Sequence, residues 1–105
     1  MKTLDRSKLE RLLKSEEELF RKNHPKSYEL YLRARKSLDG GVPMLWMVRW
    51  AGSFPVFVKQ AKGAHFTDVD GNSYLDLCLG DTGAMTGHAP EATLKAIREQ
   101  IEKGI

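Results

Sequence analysis

Polar and apolar residues change their rhythm twice along this chain, and each change marks a boundary between elements. From Ser7 to Asn23 the apolar residues Leu9, Leu12, Leu13, Leu19 and Phe20 recur at helical spacing among charged ones, predicting an amphipathic helix. Ser7-Lys8-Leu9-Glu10 fits a capping box: the hydroxyl accepts from the backbone N–H three residues on, and Glu10 reaches back. Asn23-His24-Pro25 interrupts the run, and Pro25 suits the first position of a second helix, where its missing N–H would be unpaired anyway. Tyr28, Tyr31, Leu32 and Leu38 predict the buried side of that helix, and Gly40-Gly41 its end. Residues 42–54, VPMLWMVRWAGSF, follow neither period and predict an extended segment that packs Trp46 and Trp50 against another surface.

From Pro55 the period becomes that of strands. PVFVKQ, AHFTDV and SYLDLCL predict three short antiparallel strands, joined at Lys62-Gly63 and at Asp70-Gly71, the latter a strong hairpin signal. In the third, Leu75, Leu77 and Leu79 share one face while Tyr74, Asp76 and Cys78 share the other. Gly80, Gly83 and Gly87 punctuate an irregular loop. Pro90-Glu91 then opens a last helix that carries Leu94, Ile97 and Ile101 on one side and is ready to end at Gly104. The expected fold class is α+β: two N-terminal helices, a three-stranded antiparallel β-meander and a C-terminal helix. The expected divisions are a helical segment 1–41, an aromatic connector 42–54, and 55–105 with the meander, the loop and the helix.

Composition narrows the classes. A chain of 105 residues with 41% hydrophobic and 30% charged residues has room for one ordinary globular domain. Net charge is +3, unevenly spread: residues 1–53 hold 12 Lys/Arg against 7 Asp/Glu, and residues 54–105 hold 5 against 7. The basic residues alternate with glutamates on helical segments, as on a solvated face, and no nucleic-acid motif accompanies them, so no nucleic-acid partner is expected. Cys78 is the only cysteine, which fits a reducing compartment, and its apolar neighbours predict a packed small hydrophobe. No apolar run approaches the roughly 18 residues of a membrane span, and MKTLDRSKLE lacks the apolar stretch of a signal peptide, so a cytoplasmic protein with no membrane partner is expected.

The candidate chemistry is sparse. Asp68-Val69-Asp70-Gly71-Asn72 looks like part of a calcium loop, but aligning Gly71 with the invariant glycine puts Phe66 and Leu77 where carboxylates are required. A hairpin turn with solvated aspartates is the better reading. The loop from Gly80 to His88 offers backbone N–H groups near a helix start, as an anion cradle would, yet lacks the Lys-Ser/Thr ending of a P-loop. A tight strand-to-helix turn explains the same glycines. His88 reads as a capping or packed residue or as a site residue. His24 and His65 show no ligand spacing with it, so no metal is expected. Asp76 and Asp81 have no nucleophile beside them in sequence. Arg49, in aromatic surroundings, suits either a bidentate grip on a carboxylate or a structural stack.

Taken in order, GGV (40–42), FPVFVKQAKGAHFTDVDGNSYLDL (54–77) and GDTGAMTGHAPEA (80–92) resemble the N-terminal part of class III pyridoxal-phosphate-dependent aminotransferases, most of all the glutamate-1-semialdehyde 2,1-aminomutase branch. There are departures. Asp39 stands where the family commonly has Pro, Gly87-His88-Ala89-Pro90 is shorter by a residue than the family's loop and lacks its second His, and Arg49 comes slightly later than the family's carboxylate-binding Arg. The resemblance implies an α/β fold-type I transferase of which this chain is an incomplete domain, with pyridoxal 5'-phosphate as cofactor of a homodimeric parent. It implies a small amino-acid or semialdehyde substrate, with Arg49 and Trp46 toward its carboxylate and Asp81, Thr82, Gly83, Ala84 and His88 lining the active site. The family's Schiff-base Lys, its pyridine-binding Asp and its main phosphate loop lie beyond the matched stretch, and none of the ten lysines here sits in such a motif. The resemblance therefore implies no catalytic and no cofactor-binding residue in these 105, no stable cofactor binding and no activity of the chain alone. The rival reading is a non-catalytic module that binds a partner through its aromatic 42–54 segment.

Overall fold

The computed structural model describes residues 4–49 and 52–104. They form two compact units, Met1–Phe57 and Val58–Ile105, each with its own organising centre.

The first unit opens with helix α1 (Arg6–Asn23), which starts earlier than the capping box predicts. Asp5, not Ser7, is the N-cap: its carboxylate accepts the Lys8 N–H at 3.0 Å. An aspartate two residues upstream competes for the same orphan donors and adds charge that suits the positive helix end. At the other end His24 turns the chain. Its backbone N–H reaches Arg21 O, and its Nδ1 donates to Phe20 O at 2.7 Å, satisfying a carbonyl the helix leaves unpaired. Pro25 then begins helix α2 (Pro25–Ala34) at its first position, as the sequence predicts.

The core of this unit is small and aromatic. Phe54 is buried, with its ring centroid 4.9 Å from Phe20, 5.1 Å from Tyr28 and 6.1 Å from Tyr31. Burying one Phe contributes about 1.5–3 kcal/mol, and each ring pair adds about 0.5–1.5 kcal/mol. Fully buried Ser27 accepts the Phe57 N–H at 3.3 Å, which ties the 52–57 stretch to α2. The predicted α1 stripe does not share this core: Leu9, Leu12, Leu13 and Leu19 are exposed, and only Phe20 turns inward.

Two local expectations are corrected. Helix α2 ends at Ala34, and Gly40-Gly41 closes a separate 3-10 turn (Asp39–Gly41). Gly41 has φ +73°, and a Cβ there would lie 2.8 Å from the Tyr31 ring, so both conformation and space demand glycine. Residues 42–54 are not an extended connector throughout: Leu45–Arg49 winds into a 3-10 helix, with Met47 N–H bonded to Met44 O. Trp46 on it is 47% exposed, and Trp50 lies outside the described residues.

The second unit is built on an antiparallel sheet of β1 (Val58–Lys62), β2 (His65–Asp68) and β3 (Ser73–Leu75), in the order β1-β2-β3. Gln60 faces Thr67 and Lys62 faces His65, with a bulge between Val58 and Gln60. Phe66 faces Tyr74, and the two rings stack at 4.8 Å, a cross-strand pair of the kind that stabilises sheets. The first strand starts three residues later than predicted. Helix α3 (Glu91–Ile101) follows Pro90 as expected, although Ile97 and Ile101 stay exposed.

Among the described residues of this unit no hydrophobic side chain is buried. Its buried side chains are two carboxylates, Asp68 and Asp76. Asp68 is the opposite of the solvated aspartate expected. Its Oδ1 accepts the N–H groups of Asp70 and Asn72 at 2.9 and 2.8 Å, and its Oδ2 accepts from Asn72 Nδ2 at 2.9 Å and Tyr74 O–H at 2.8 Å. The β2–β3 hairpin is folded around one anion.

Candidate functional site

The second carboxylate builds the candidate site. β3 ends at Leu75, well short of the predicted SYLDLCL strand, because Asp76 turns the chain. The Asp76 N–H donates to Ala64 O at 2.8 Å, while its carboxylate accepts the N–H groups of Cys78 and Gly80, each at 2.9 Å. A side chain that bonds the backbone two and four residues ahead offers that backbone an alternative to a strand ladder. Cys78 therefore lies exposed in a bend and not packed in a strand, and Leu77 is 84% exposed.

Twelve residues on, the chain returns to the same carboxylate. His88 Nε2 donates to Asp76 Oδ2 at 2.6 Å. The His88 backbone also exchanges two hydrogen bonds with Gly63, at 2.8 and 2.9 Å. Both ends of the excursion from Asp76 to His88 are thus anchored on adjacent residues of the β1–β2 turn, Gly63 and Ala64. That is an Ω-loop, a compact form often found at functional sites. Gly87, at φ +91°, passes so close to Gly63 that a Cβ would meet its backbone at 3.3 Å.

Inside the loop the backbone is tightly turned. Asp81 N–H bonds to Cys78 O, Gly83 N–H to Gly80 O, Ala84 N–H to Leu79 O and Gly87 N–H to Ala84 O. Three non-glycine residues of the loop, Leu79, Asp81 and Thr82, hold positive φ between 55° and 71°, and Ala89 just after it has φ 51°. Such conformations cost about 1–3 kcal/mol each and persist only where the surroundings over-determine them. For β-branched Thr82 the conformation is exceptional.

The electrostatics follow the bonding. The hydrogen bond from His88 is the main cause that holds the Asp76 carboxyl below the ordinary 3.8, helped by the Gly80 and Cys78 amides against the opposing effect of burial. Asp76 is therefore an anion at neutral pH. Neither side chain is bonded to a hydroxyl or thiol, and the Asp76–His88 pair has the geometry of an anchor. Asp81, Thr82 and Gly83 are exposed along with most of the loop, from Leu77 to Gly83 and at Met85 and Thr86, and Ala84 is half-buried.

The loop does not fit the anion cradle its glycines suggest. The N–H groups of Cys78, Gly80, Asp81, Gly83, Ala84, Gly87 and His88 are all bonded within the unit. Asp76 and Asp81 add negative charge, and the loop contains no lysine. No group of three or more potential metal ligands occurs among the described residues.

Arg49 and Trp46 belong to the first unit, both exposed on the 3-10 helix. The Arg–aromatic contacts among the described residues are Arg21 over Tyr28 and Arg35 over Tyr31, each at 5.8 Å, and Arg49 makes none of them. A cleft of about 50 Å³ lies among Tyr31, Gly40, Val42, Met47, Val48 and Phe54, room for a water molecule or two. Sequence reasoning missed the Asp76–His88 pair altogether. Its only signal is an Asp at a strand end followed by a glycine-rich loop that closes on a His.

No family model matches the chain. Individual proteins do. It is 46% identical over 79 residues to the glutamate-1-semialdehyde 2,1-aminomutase of Methanocaldococcus jannaschii, a match covering 75% of this chain and 18% of that one. The solved glutamate-1-semialdehyde aminomutase of Pseudomonas aeruginosa superposes with a TM-score of 0.86 at 44% identity, over 96% of this chain and 22% of its own. A further structure of that aminomutase is in complex with PMP. The β-phenylalanine aminotransferase of Variovorax paradoxus shares the fold, with a TM-score of 0.81 at 23% identity over 91% of this chain and 22% of its own. The chain spans about a fifth of the length of the relatives it matches.

Proposed function

We propose that this chain, which belongs by sequence and fold to the N-terminal segment of the class III pyridoxal-phosphate-dependent aminotransferases, supplies substrate-side walls of an enzyme that moves an amino group to a carbonyl carbon. The observation that carries the reading is the match at 44% identity over 96% of the chain to an aminomutase of solved structure. The Ω-loop supports it, because a strained, polar-anchored loop is a costly way to make a mere connection. The substrate is an amino acid or semialdehyde of the glutamate-1-semialdehyde kind, or an ω- or β-amino acid. Arg49 grips its carboxylate beside Trp46, and Asp81, Thr82, Gly83, Ala84 and His88 line its entrance. Pyridoxal phosphate, held by residues outside these 105, carries the amino group, and the chain alone is inactive. The whole protein is a cytoplasmic homodimer with no nucleic-acid or membrane partner. Among the described residues no helix is long and apolar enough to cross a membrane.

The test uses the complete reading frame that contains this chain, loaded with pyridoxal phosphate. Amino transfer is followed with glutamate-1-semialdehyde and, separately, with β- and ω-amino acids plus a 2-oxo acid. Losing a charge-assisted bond to the carboxylate through Arg49→Ala raises KM roughly 10- to 100-fold with unchanged thermal stability. Absence of transfer with every substrate defeats the reading, and an unchanged KM removes Arg49 from it. One observation favours a second reading, a partner-binding module: Met44, Leu45, Trp46 and Val48 form an exposed apolar group on one short segment. Reversible self-association of the 105-residue chain that Trp46→Ala abolishes would favour it.

A further inference from the structure

We infer that Asp76 is a positioning residue: through the His88 ring and the Cys78 and Gly80 amides it locks the 76–88 loop in one shape and so sets where Asp81, Thr82 and Ala84 stand. The substrate-facing part of this inference rests on the function proposed above; the lock itself does not.

Three observations carry it. First, the loop has no apolar anchor. Leu77, Leu79 and Met85 are all exposed, and the only buried side chain from Asp76 to His88 is the Asp76 carboxylate. Second, the loop shape is opposed from within. Each of Leu79, Asp81 and Thr82 at positive φ disfavours it by roughly 5- to 30-fold relative to ordinary backbone. Something must offset that, and hydrogen bonds to a charged acceptor are each worth roughly 10- to 150-fold. Asp76 accepts three, from Cys78, Gly80 and His88. Third, the three donors are spread across the loop: two follow the first turn and one closes the last. A single carboxylate thus joins the start of the loop to its end, directly above the Gly63–Ala64 turn that both backbone ends already grip. Without it the ends stay on the turn while the strained middle loses its counterweight.

The test is amide exchange and ring ¹⁵N spectroscopy on the 105-residue chain. In the parent, His88 shows a slowly exchanging Nε2–H, and the Cys78 and Gly80 amides are protected. Asp76→Ala speeds exchange of Cys78 and Gly80 by roughly 100-fold and removes the ring N–H signal, while Asn72, bonded to Asp68, keeps its protection. Should Asp76→Ala unfold the whole unit, Asp76→Asn and the His88 pair decide. Asp76→Asn keeps a single acceptor oxygen and deprotects whichever of Cys78 and Gly80 its NH₂ comes to face, and His88→Leu deprotects Gly80. His88→Gln keeps a donor at the same reach and restores protection to within a few-fold of the parent. Protected Cys78 and Gly80 in Asp76→Ala, or equal exchange of His88→Gln and His88→Leu, overturns the lock. In the complete reading frame, an unlocked loop with unaltered amino transfer sinks the substrate-wall reading but leaves the lock standing.

Discussion

Replacing Asp68 tests the claim that the β2–β3 hairpin is organised by a charge and not by an apolar core. Asp68→Ala removes the acceptor of four hydrogen bonds at once, from Asp70 N–H, Asn72 N–H, Asn72 Nδ2 and Tyr74 O–H. Water can re-pair part of these groups at a turn, so the expected loss is about 2–4 kcal/mol, well below the sum of four charged bonds. A unit the size of Val58–Ile105 holds roughly 2–7 kcal/mol in total, so this substitution removes most of its stability. Asp68→Asn is the sharper probe. It keeps one oxygen for the two backbone donors and costs about 1–2 kcal/mol, but it deletes the charge. That charge is legible in Tyr74. Burial first, and then the hydrogen bond and negative charge of Asp68, push the phenol up from 10.0 to about 12. Followed by ring ¹³C shifts, Tyr74 in Asp68→Asn titrates closer to 10.0, with burial and the charge of Asp70 still keeping it above that value. A Tyr74 midpoint unchanged by the substitution would refute the reasoning. The pH profile supplies a second check. Burial raises the Asp68 carboxyl, but the bonds from Asn72, Tyr74 and Asp70 outweigh it and leave the group below 3.8. Its stabilisation is therefore present above pH 3.8 and lost as pH falls through the folded value. The Tyr74 contribution is present below pH 10.0 and lost as pH rises toward 12. Asp68→Asn flattens both limbs.

Two further outcomes follow from the backbone. Thr82, at φ +71°, is relieved by Thr82→Gly, which raises the unfolding free energy of the second unit by about 0.5–1 kcal/mol in urea titration; a loss of stability would mean that its side chain makes a compensating contact. Gly41→Ala places a methyl 2.8 Å from the Tyr31 ring at φ +73° and costs the first unit about 1–3 kcal/mol, read as a lower urea midpoint; an unchanged midpoint would show that Tyr31 and Arg35 yield freely.

Much of the local structure was legible because it depends on short-range chemistry. Pro25 at a helix start, the turn at Asp70-Gly71, the three-stranded order and the Pro90-Glu91 helix start all rest on backbone rules that act within a few residues. Two of the errors share one cause. Asp5 displaced the Ser7 cap, and Asp76 cut a strand that β-propensity extended through Cys78, because a carboxylate close to unpaired amides outcompetes a statistical preference. The exposed leucines of α1 kept their predicted period while lacking the predicted burial. A pattern states which face is apolar, not what covers it. That these 105 residues span only about a fifth of their relatives is consistent with faces left open here.

By itself, then, the sequence determined the kind and order of the elements and, through the order and spacing of its motifs, the family. Those are properties of neighbouring residues and of the string as a whole. Only the tertiary structure decided what each polar residue does. Asp68 and Asp70 look alike along the chain, yet it is Asp68 that is fully buried and accepts from Asp70, Asn72 and Tyr74. Asp76 and His88 stand twelve positions apart with nothing between them to announce a bond. They meet because Gly63 and Ala64 hold both ends of the loop, and that closure comes from long-range backbone pairing that no local pattern encodes.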